Sequence, residues 1–172
     1  MDIKMRQVGV VRNELKESGL EFMSGTFTWN LDVARARDRQ SLVSDLIIDE
    51  DLVGIADGLE DFSHMIVLYW AHLVPPDASS SLIKVHPLGR EDFPLVGVFA
   101  TCSPIRPNAI CITVVRLLER KGNMLRVTGL DAIDGSPILD IKPYSPGYLR
   151  VEDAKIAGWM QKLYEAVDSG GD

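Results

Sequence analysis

Two polar bends, each beside an apolar run, contain the residue types in this chain that could perform chemistry. The first runs from Ser103 to Asn108 and has the sequence Ser-Pro-Ile-Arg-Pro-Asn. Its prolines fix φ and remove backbone donors, which leaves the side chains of Ser103, Arg106 and Asn108 on a stiff frame. A guanidinium and an amide on such a frame suit recognition of a carboxylate, a phosphate or a nucleobase edge. Equally, Arg106 could pair with an aspartate and Asn108 could cap a turn.

The second bend is the segment Asp134-Gly135-Ser136-Pro137, which leads into an apolar run. Asp134 could accept hydrogen bonds from an amine or a ribose, and Gly135 permits close approach of the backbone to a ligand. The alternative is an Asx-type turn closed by Asp134, which this spacing makes common. Asp140 and Lys142 lie two residues apart in the following predicted strand. They share a face of it, which favours a structural pair over a catalytic dyad.

Other reactive side chains give weaker signals. Cys102 has no base assignable from the sequence, so a small, semi-buried thiol is the preferred interpretation. His64 and His72 would share a face of one unbroken strand, but together with His86 or Cys102 they lack the ligand spacing of a metal site. We therefore predict no bound metal. Three aromatic residues are expected in the core, although one of them could stack on an adenine at a pocket rim: Tyr69, Trp70 and Phe99.

The segments that must position these bends are predicted to be mainly short strands. His64 to His72 is a continuous apolar run, which predicts a strand buried on both faces. Ile110 to Leu118 and Met124 to Leu130 are separated by a segment containing Gly-Asn, which is a hairpin signal. The spacing of apolar residues predicts a helix from Glu152 to Val167. Further strands are predicted at Gln7–Arg12, Asp45–Asp49, Leu82–Pro87, Pro94–Ala100 and Pro137–Ile141.

This order of elements predicts a mainly β fold. Seven or eight short strands, one closing helix and no βαβ alternation favour a β-barrel or a strongly curved sheet and disfavour a Rossmann domain. A length of 172 residues with 46% hydrophobic content fits one domain. We expect a barrel domain at 1–150, with a C-terminal helix and tail at 151–172.

Charge and cysteine content narrow the function classes. The net charge of −7 and pI near 4.9 argue against a generic nucleic-acid coat. However, residues 45–61 contain seven acids and no Lys or Arg, whereas residues 81–128 contain seven bases and three acids, so a locally basic face is expected. A soluble cytoplasmic protein without membrane contact is predicted. The two cysteines lie outside any CxxC pair, and the sequence shows neither a signal peptide nor an apolar run of membrane-spanning length.

Taken together, the two bends resemble the TrmO/YaeB (TsaA-like) family. The matching segments are Gly97-Val98-Phe99-Ala100-Thr101, Ser103 to Asn108, and Gly135-Ser136-Pro137 through to Asp140-Ile141-Lys142-Pro143-Tyr144. Val8 to Arg12 and Leu59 to His64 add to the match, which covers about residues 5 to 147. The resemblance implies a single-sheet β-barrel with short helical insertions that forms a homodimer and binds S-adenosylmethionine.

It further implies methylation of the exocyclic amine of threonylcarbamoyladenosine next to the tRNA anticodon. In that setting Asn108 or Asp134 would orient the amine. The cofactor contacts would be Arg39, Gln40, His72, Leu73, Cys102, Val114, Asp134, Gly135, Ser136 and Pro137. The substrate contacts would be Arg106, Asn108, Lys142 and Tyr144.

Departures from the family pattern keep other functions open. Cys102 stands where the family has arginine, Cys111 where it has glycine, and Ser136 where it has threonine, which retains the hydroxyl. The lost charge and the acidic total prompt a second hypothesis, methylation of a small-molecule acceptor. A third is a non-enzymatic module that senses S-adenosylmethionine or a related nucleoside.

Overall fold

The computed structural model of the chain describes residues 3–16, 20–23, 26–29, 41–75, 78 and 83–169. Two residues of the predicted cofactor set, Arg39 and Gln40, lie outside these described residues. Within the described part, no helix is both long enough and apolar enough to cross a membrane.

Six strands close into one antiparallel barrel, which confirms the predicted fold class. The barrel strands are β1 (Gly9–Arg12), β4 (Val43–Ile48), β5 (His64–Trp70), β8 (Ile110–Lys121), β9 (Met124–Thr128) and β10 (Pro137–Pro143). Their spatial order is β1-β10-β5-β8-β9-β4, and β4 closes the ring by pairing with β1. Closure leaves no free sheet edge between these strands along their paired lengths. Two small sheets lie outside the barrel, β2 (Leu20–Met23) with β3 (Thr26–Trp29) and β6 (Lys84–Val85) with β7 (Val96–Gly97).

The predicted hairpin is present, with a tighter turn than the sequence suggested. β8 extends to Lys121 and β9 begins at Met124, so the turn is Gly122-Asn123. Gly122 has φ 56°, in the left-handed region that a two-residue hairpin turn requires. The Asn123 side chain donates to the backbone oxygen of Asp49 at 3.1 Å, which attaches the hairpin to the end of β4.

The core fills the barrel interior with alternate residues of each strand. Met65, Val67 and Tyr69 of β5 face inward and are at most 5% exposed. Ile66, on the opposite face of β5, is also buried at 6%, so the first half of this strand is covered on both faces, as its continuous apolar run predicts. Residues from the other strands and the β9–β10 connection complete the cluster, including Val11, Leu46, Val115, Leu125, Val127, Leu130 and Ile138.

Two helices follow the barrel, α1 (Pro146–Leu149) and α2 (Gly158–Ser169). The sequence predicted a helix from Glu152, but the chain becomes helical only at Gly158. Ile156 remains 51% exposed, so the segment before α2 buries little apolar surface to offset the entropy of ordering a helix. Trp159 in α2 lies beside buried Phe93, with ring centroids 6.3 Å apart, and this contact attaches the helix to the 87–93 segment.

The two polar bends lie at the same end of the barrel. β5 ends at Trp70, and β8 begins opposite it at Ile110, directly after the first bend. β10 begins at Pro137, directly after the second bend, and Ile138 pairs with Tyr69. We call this the upper end of the barrel. The lower end is the one where β5 begins at His64.

Candidate functional site

His72 and Ser136 meet at the upper end of the barrel. The Ser136 hydroxyl lies 3.3 Å from Nδ1 of His72, and Ser136 is 1% exposed. The bend is held by backbone bonds from Gly135 N–H to the Val11 carbonyl at 2.9 Å and from Ser136 N–H to the Ile133 carbonyl at 3.0 Å. Gly135 has φ 80°, and a Cβ at this position would lie 3.8 Å from Nε2 of His72. Glycine therefore provides the backbone conformation, while an added Cβ would make only an ordinary van der Waals contact with the imidazole.

Asp134 is bound to the chain segment that follows β1. One carboxylate oxygen accepts from the backbone N–H of Asn13 at 3.0 Å, and the other accepts from Nζ of Lys16 at 2.6 Å. The Lys16 ammonium, the Asn13 N–H and nearby Arg12 lower the pKa of Asp134. Asp134 does not close its own Asx turn but connects two loops. Because Lys16 is 66% exposed, a ligand at the rim could displace its ammonium from the carboxylate.

Tyr69 and Thr113 both donate to the exposed carboxylate of Asp131 at the upper end of the barrel. The Tyr69 hydroxyl donates to Oδ1 of Asp131 at 2.7 Å, and the Thr113 hydroxyl donates to the same oxygen. Burial, followed by the Asp131 charge, raises the pKa of Tyr69, so the phenol remains a donor at all physiological pH values. β9 pairs with β8 only from Arg116 onward, so the Asp131 carboxylate lies beside the part of β8 that β9 does not cover.

The two cysteines differ in environment. Cys102 is exposed, whereas Cys111 is half-buried opposite Tyr69. Burial and the negative charge of Asp131 raise the pKa of the Cys111 thiol to about 11, so it remains protonated near neutrality. Cys102 and Arg106 are close enough to Cys111 to influence its titration. The first bend therefore lies beside the cluster of Tyr69 and Asp131.

The first bend is rigid because its own side chains bond to its backbone. The Thr101 hydroxyl donates to the Val98 carbonyl at 2.9 Å and accepts from the Ser103 N–H at 3.2 Å. Ile105 is 1% exposed and Ala109 is 3% exposed, so two apolar anchors hold the bend on the barrel. These anchors leave the polar residues of the bend toward the surface.

Most of the other predicted site residues at the upper end are accessible. Asn108 and Cys102 are exposed, and Leu73 is 52% exposed. Arg106 is half-buried, and one of its guanidinium nitrogens lies 3.4 Å from the backbone oxygen of Thr101. The structure thus brings His72, Leu73, Cys102, Arg106, Asn108, Asp134, Gly135, Ser136 and Pro137 to one end of the barrel.

Three further predicted site residues lie elsewhere in the chain fold. Val114 and Lys142 flank Ile66 in the sheet, and both side chains point out of the barrel. Val114 is 48% exposed, and Lys142 makes a 2.6 Å ion pair with Asp140. Tyr144 donates its backbone N–H to His64 at the lower end, at 3.1 Å. A single copy of the chain therefore presents the predicted residues in two groups.

The basic face expected from residues 81–128 is largely neutralised. Four of its seven cations form ion pairs: Arg90 with Asp92, Arg120 with Asp57 and Glu60, Lys121 with Glu119, and Arg126 with Asp45. The other three, Lys84, Arg106 and Arg116, have no ion pair within the described part of the chain. Positive charge available to a ligand at the upper end therefore comes from few residues.

No group of three or more His, Cys, Asp or Glu side chains within the described ranges could hold a metal ion. The side chains of His72 and Ser136 are instead paired with each other, which leaves the imidazole edge toward Gly135 as the polar surface of the cluster.

Sequence reasoning missed Tyr69, Thr113 and Asp131 as a polar group. Tyr69 was expected in the core, and it is buried, but its hydroxyl extends into the site. The sequence signal that could have identified Asp131 as a site residue is its position three residues before Asp134, which makes a pair of carboxylates. Thr113 can bond to Asp131 because β9 is separated from this part of β8. No local sequence pattern predicts that separation.

The fold and the site define an antiparallel β-barrel protein with a polar cluster of imidazole, hydroxyl and carboxylate groups at one barrel end. The family profile of the tRNA-methyltransferase O N-terminal domain matches residues 10–148. The chain therefore belongs to this family.

Named relatives agree with this assignment. A probable S-adenosyl-L-methionine-binding protein of Methanothermobacter thermautotrophicus is 42% identical over 144 residues, which is 84% of this chain and 91% of the relative. The tRNA (adenine(37)-N6)-methyltransferase of Mus musculus is 43% identical over 106 residues, which is 62% of this chain and 24% of that protein.

Solved structures of TrmO show the same architecture. The Pseudomonas aeruginosa protein superimposes with a TM-score of 0.65 at 27% identity, covering 92% of this chain and 63% of the solved chain. A second TrmO structure gives a TM-score of 0.67 at 29% identity and covers 64% of that chain. The chain thus spans somewhat less than two thirds of the TrmO chains it matches.

Proposed function

We propose that this chain is an S-adenosylmethionine-dependent methyltransferase that methylates N6 of threonylcarbamoyladenosine next to the tRNA anticodon. The observation that carries the proposal is the grouping of nine predicted site residues at the upper end of a family-type barrel. The named relatives support it, since one is described as binding S-adenosylmethionine and another as methylating adenine 37 of tRNA.

The residues at the upper end fit an adenosyl cofactor. The open space beside Gly135, where a Cβ would approach the imidazole of His72, gives an adenosyl group access to backbone and ring atoms. Asp134 offers a carboxylate of lowered pKa, and Asp131 a second carboxylate nearby in sequence. Negative charge at these positions favours a sulfonium cation and can accept hydrogen bonds from ribose hydroxyls.

The chain's own residues then position the acceptor. When bound, the cofactor supplies an electrophilic methyl group. Asn108, exposed on its rigid bend, and Asp134 would orient an exocyclic amine toward the cofactor. Methyl transfer depends mainly on holding the acceptor nitrogen in line with the methyl group, and a stiff loop serves that purpose. Arg106 on the same bend would contact the acceptor through its guanidinium.

A homodimer would join the two groups of predicted residues. Val114 and Ile112 are 48% and 63% exposed on the outer face of β8, and Lys142 lies in the same row across β5. Exposed apolar residues of this kind favour burial against a second copy. Light scattering should report a dimer, and Val114→Lys should convert it to a monomer; a wild-type monomer at all concentrations contradicts this part of the proposal.

Nucleoside mass spectrometry tests the main proposal. Transfer RNA from a strain lacking this protein should lose methyl-threonylcarbamoyladenosine, and a plasmid copy should restore it, whereas Asp134→Ala should not. Val53→Ala, at a position 81% exposed and away from the site, is the matched control that restores the modification. An unchanged modification level in a strain without a second copy of such a gene would contradict the proposal.

The neutralised cations and the exposed Cys102 favour one second candidate, methylation of a small-molecule acceptor with the same cofactor. A salt-sensitive gel shift with tRNA separates the two, because phosphate contacts weaken steeply with salt. Calorimetry with the cofactor and with its demethylated product tests the remaining option of a sensor without catalysis.

A further inference from the structure

Phe99 is an aromatic residue that the fold leaves outside the core. It lies in the 3-10 turn Val98–Ala100 between β7 and the first bend, and it is 77% exposed. The sequence favoured a core position for Phe99, which is wrong, and left open that one of Tyr69, Trp70 and Phe99 stacks on an adenine at a pocket rim. Exposing a phenyl ring to this extent forfeits the free energy that its burial would contribute.

The Arg106 guanidinium covers part of this ring. Its central carbon lies 5.7 Å from the ring centroid, within the range of a cation–π contact. The same guanidinium lies 3.4 Å from the Thr101 backbone oxygen, and the Thr101 hydroxyl is bonded to Val98. Ring and guanidinium therefore sit on one rigid segment, while most of the phenyl surface remains in water.

The surroundings of Phe99 combine apolar surface with available positive charge. The Val98 N–H donates to the Ile83 carbonyl at 3.0 Å, so Ile83, which is 77% exposed, lies next to the turn. Lys84 follows Ile83 and pairs with Gly97. Lys84 and Arg106 are two of the three cations of residues 81–128 that have no ion pair in the described part of the chain. Arg106 thus contacts the exposed ring, and Lys84 lies in the strand pair that leads into its turn.

We propose that Phe99 is a stacking platform for an unpaired nucleobase in the RNA loop that presents the methyl acceptor. Single-stranded RNA alternates planar bases with phosphates, and a phenyl ring that contacts a guanidinium, with Lys84 in the adjoining strand pair, matches that alternation. A stacked neighbour would fix the acceptor base over the site, since Phe99 stands three residues before Cys102 and seven before Arg106. The proposal rests on the proposed function and names the part of the RNA that this surface binds.

Binding of an anticodon stem-loop RNA, followed by fluorescence anisotropy, tests the platform. Phe99→Leu keeps an apolar side chain but removes the ring, and its affinity for the RNA should fall by about 10- to 100-fold. Phe99→Tyr keeps the ring and should bind within about twofold of wild type. Phe62→Leu is the matched control, because Phe62 is 40% exposed at the lower end beside a cleft of about 520 Å³. Calorimetry should give the same S-adenosylmethionine affinity for all three variants.

Spectroscopy adds a readout that a loss of folding does not imitate. Phe99→Trp should show stronger fluorescence quenching on addition of the RNA than the wild type, whose three native tryptophans give the baseline, because a base stacked on the added indole quenches it. A Phe99→Leu variant with wild-type RNA affinity overturns the platform. A Phe99→Leu variant whose self-association changes in light scattering while its RNA affinity stays unchanged also overturns the platform.

Methyl transfer measured on the same samples separates this proposal from the one it rests on. Ring-dependent RNA binding without methyl transfer would sustain the platform and refute the proposed reaction. Methyl transfer by wild type with no effect of Phe99→Leu on either rate or affinity would refute the platform alone. A wild-type protein that neither binds nor methylates the stem-loop overturns both.

Discussion

Removing the Tyr69 hydroxyl should destabilise the protein by a predictable amount. Tyr69 is 5% exposed, and its hydroxyl donates to Asp131 at 2.7 Å. Tyr69→Phe keeps the ring and its packing, so the change isolates one hydrogen bond to a charged acceptor. Such bonds contribute about 1.5–3 kcal/mol.

The structure indicates a value at or below the low end of that range. Asp131 retains the bond from the Thr113 hydroxyl and is exposed enough for water to replace the lost donor. We therefore expect a loss of about 1–2 kcal/mol in the free energy of unfolding, which for a domain of this size lowers Tm by roughly 2–8 °C. Because both donors share one oxygen, Thr113→Val combined with Tyr69→Phe should cost more than the sum of the single changes.

Urea unfolding of the single and double variants measures these values. The midpoint should shift while the slope with denaturant stays constant, since the surface exposed on unfolding is unchanged. Tyr164→Phe, at a position 53% exposed on α2, is the control and should have no measurable effect. A loss below about 0.3 kcal/mol for Tyr69→Phe would mean that the hydroxyl is equally well bonded to water, and the assignment of Asp131 as its partner would be refuted.

Three further predictions concern single sites. Gly135→Ala should lower the free energy of unfolding by about 1–2 kcal/mol, because a φ of 80° is strained for any residue with a Cβ. Gly147→Ala, at an ordinary φ, is the control and should not have this cost. Equal effects in thermal unfolding would refute the strained conformation at Gly135. The lowered pKa of Asp134 means that its stabilisation is fully present above the unfolded pKa of about 4 and is lost as the pH falls through the lower folded value. Lys16→Met should therefore make acid unfolding less steep between about pH 5 and 2, and an unchanged pH profile contradicts the pair. A thiol reagent at pH 8 should modify exposed Cys102 rapidly and Cys111, whose pKa is about 11, far more slowly; two equal rates contradict the difference in environment.

The sequence alone predicted the class of fold, and it identified the two bends that the fold brings to one end of the barrel. Alternating and continuous apolar runs specify strands because burial on one or both faces of a sheet requires them. The turn at Gly122-Asn123 is specified locally, since few residues adopt its backbone conformation without strain. The two bends can likewise be recognised from the local sequence, because proline fixes φ and glycine readily adopts positive φ, both as results of covalent structure. These features require no distant contact.

Tertiary structure decided which side chains face one another. Tyr69 looks apolar in sequence, and its partner Asp131 is supplied by a loop 62 residues away, so no local pattern connects them. The sequence gives Asp134 either a ligand to bind or an Asx-type turn to close, yet its carboxylate binds Asn13 and Lys16 across the barrel end. Phe99 reads as core, but its turn leaves it in solvent. Hydrophobicity and spacing depend on neighbours in the chain, whereas the partner of a polar group depends on barrel closure and register, which the whole chain determines together.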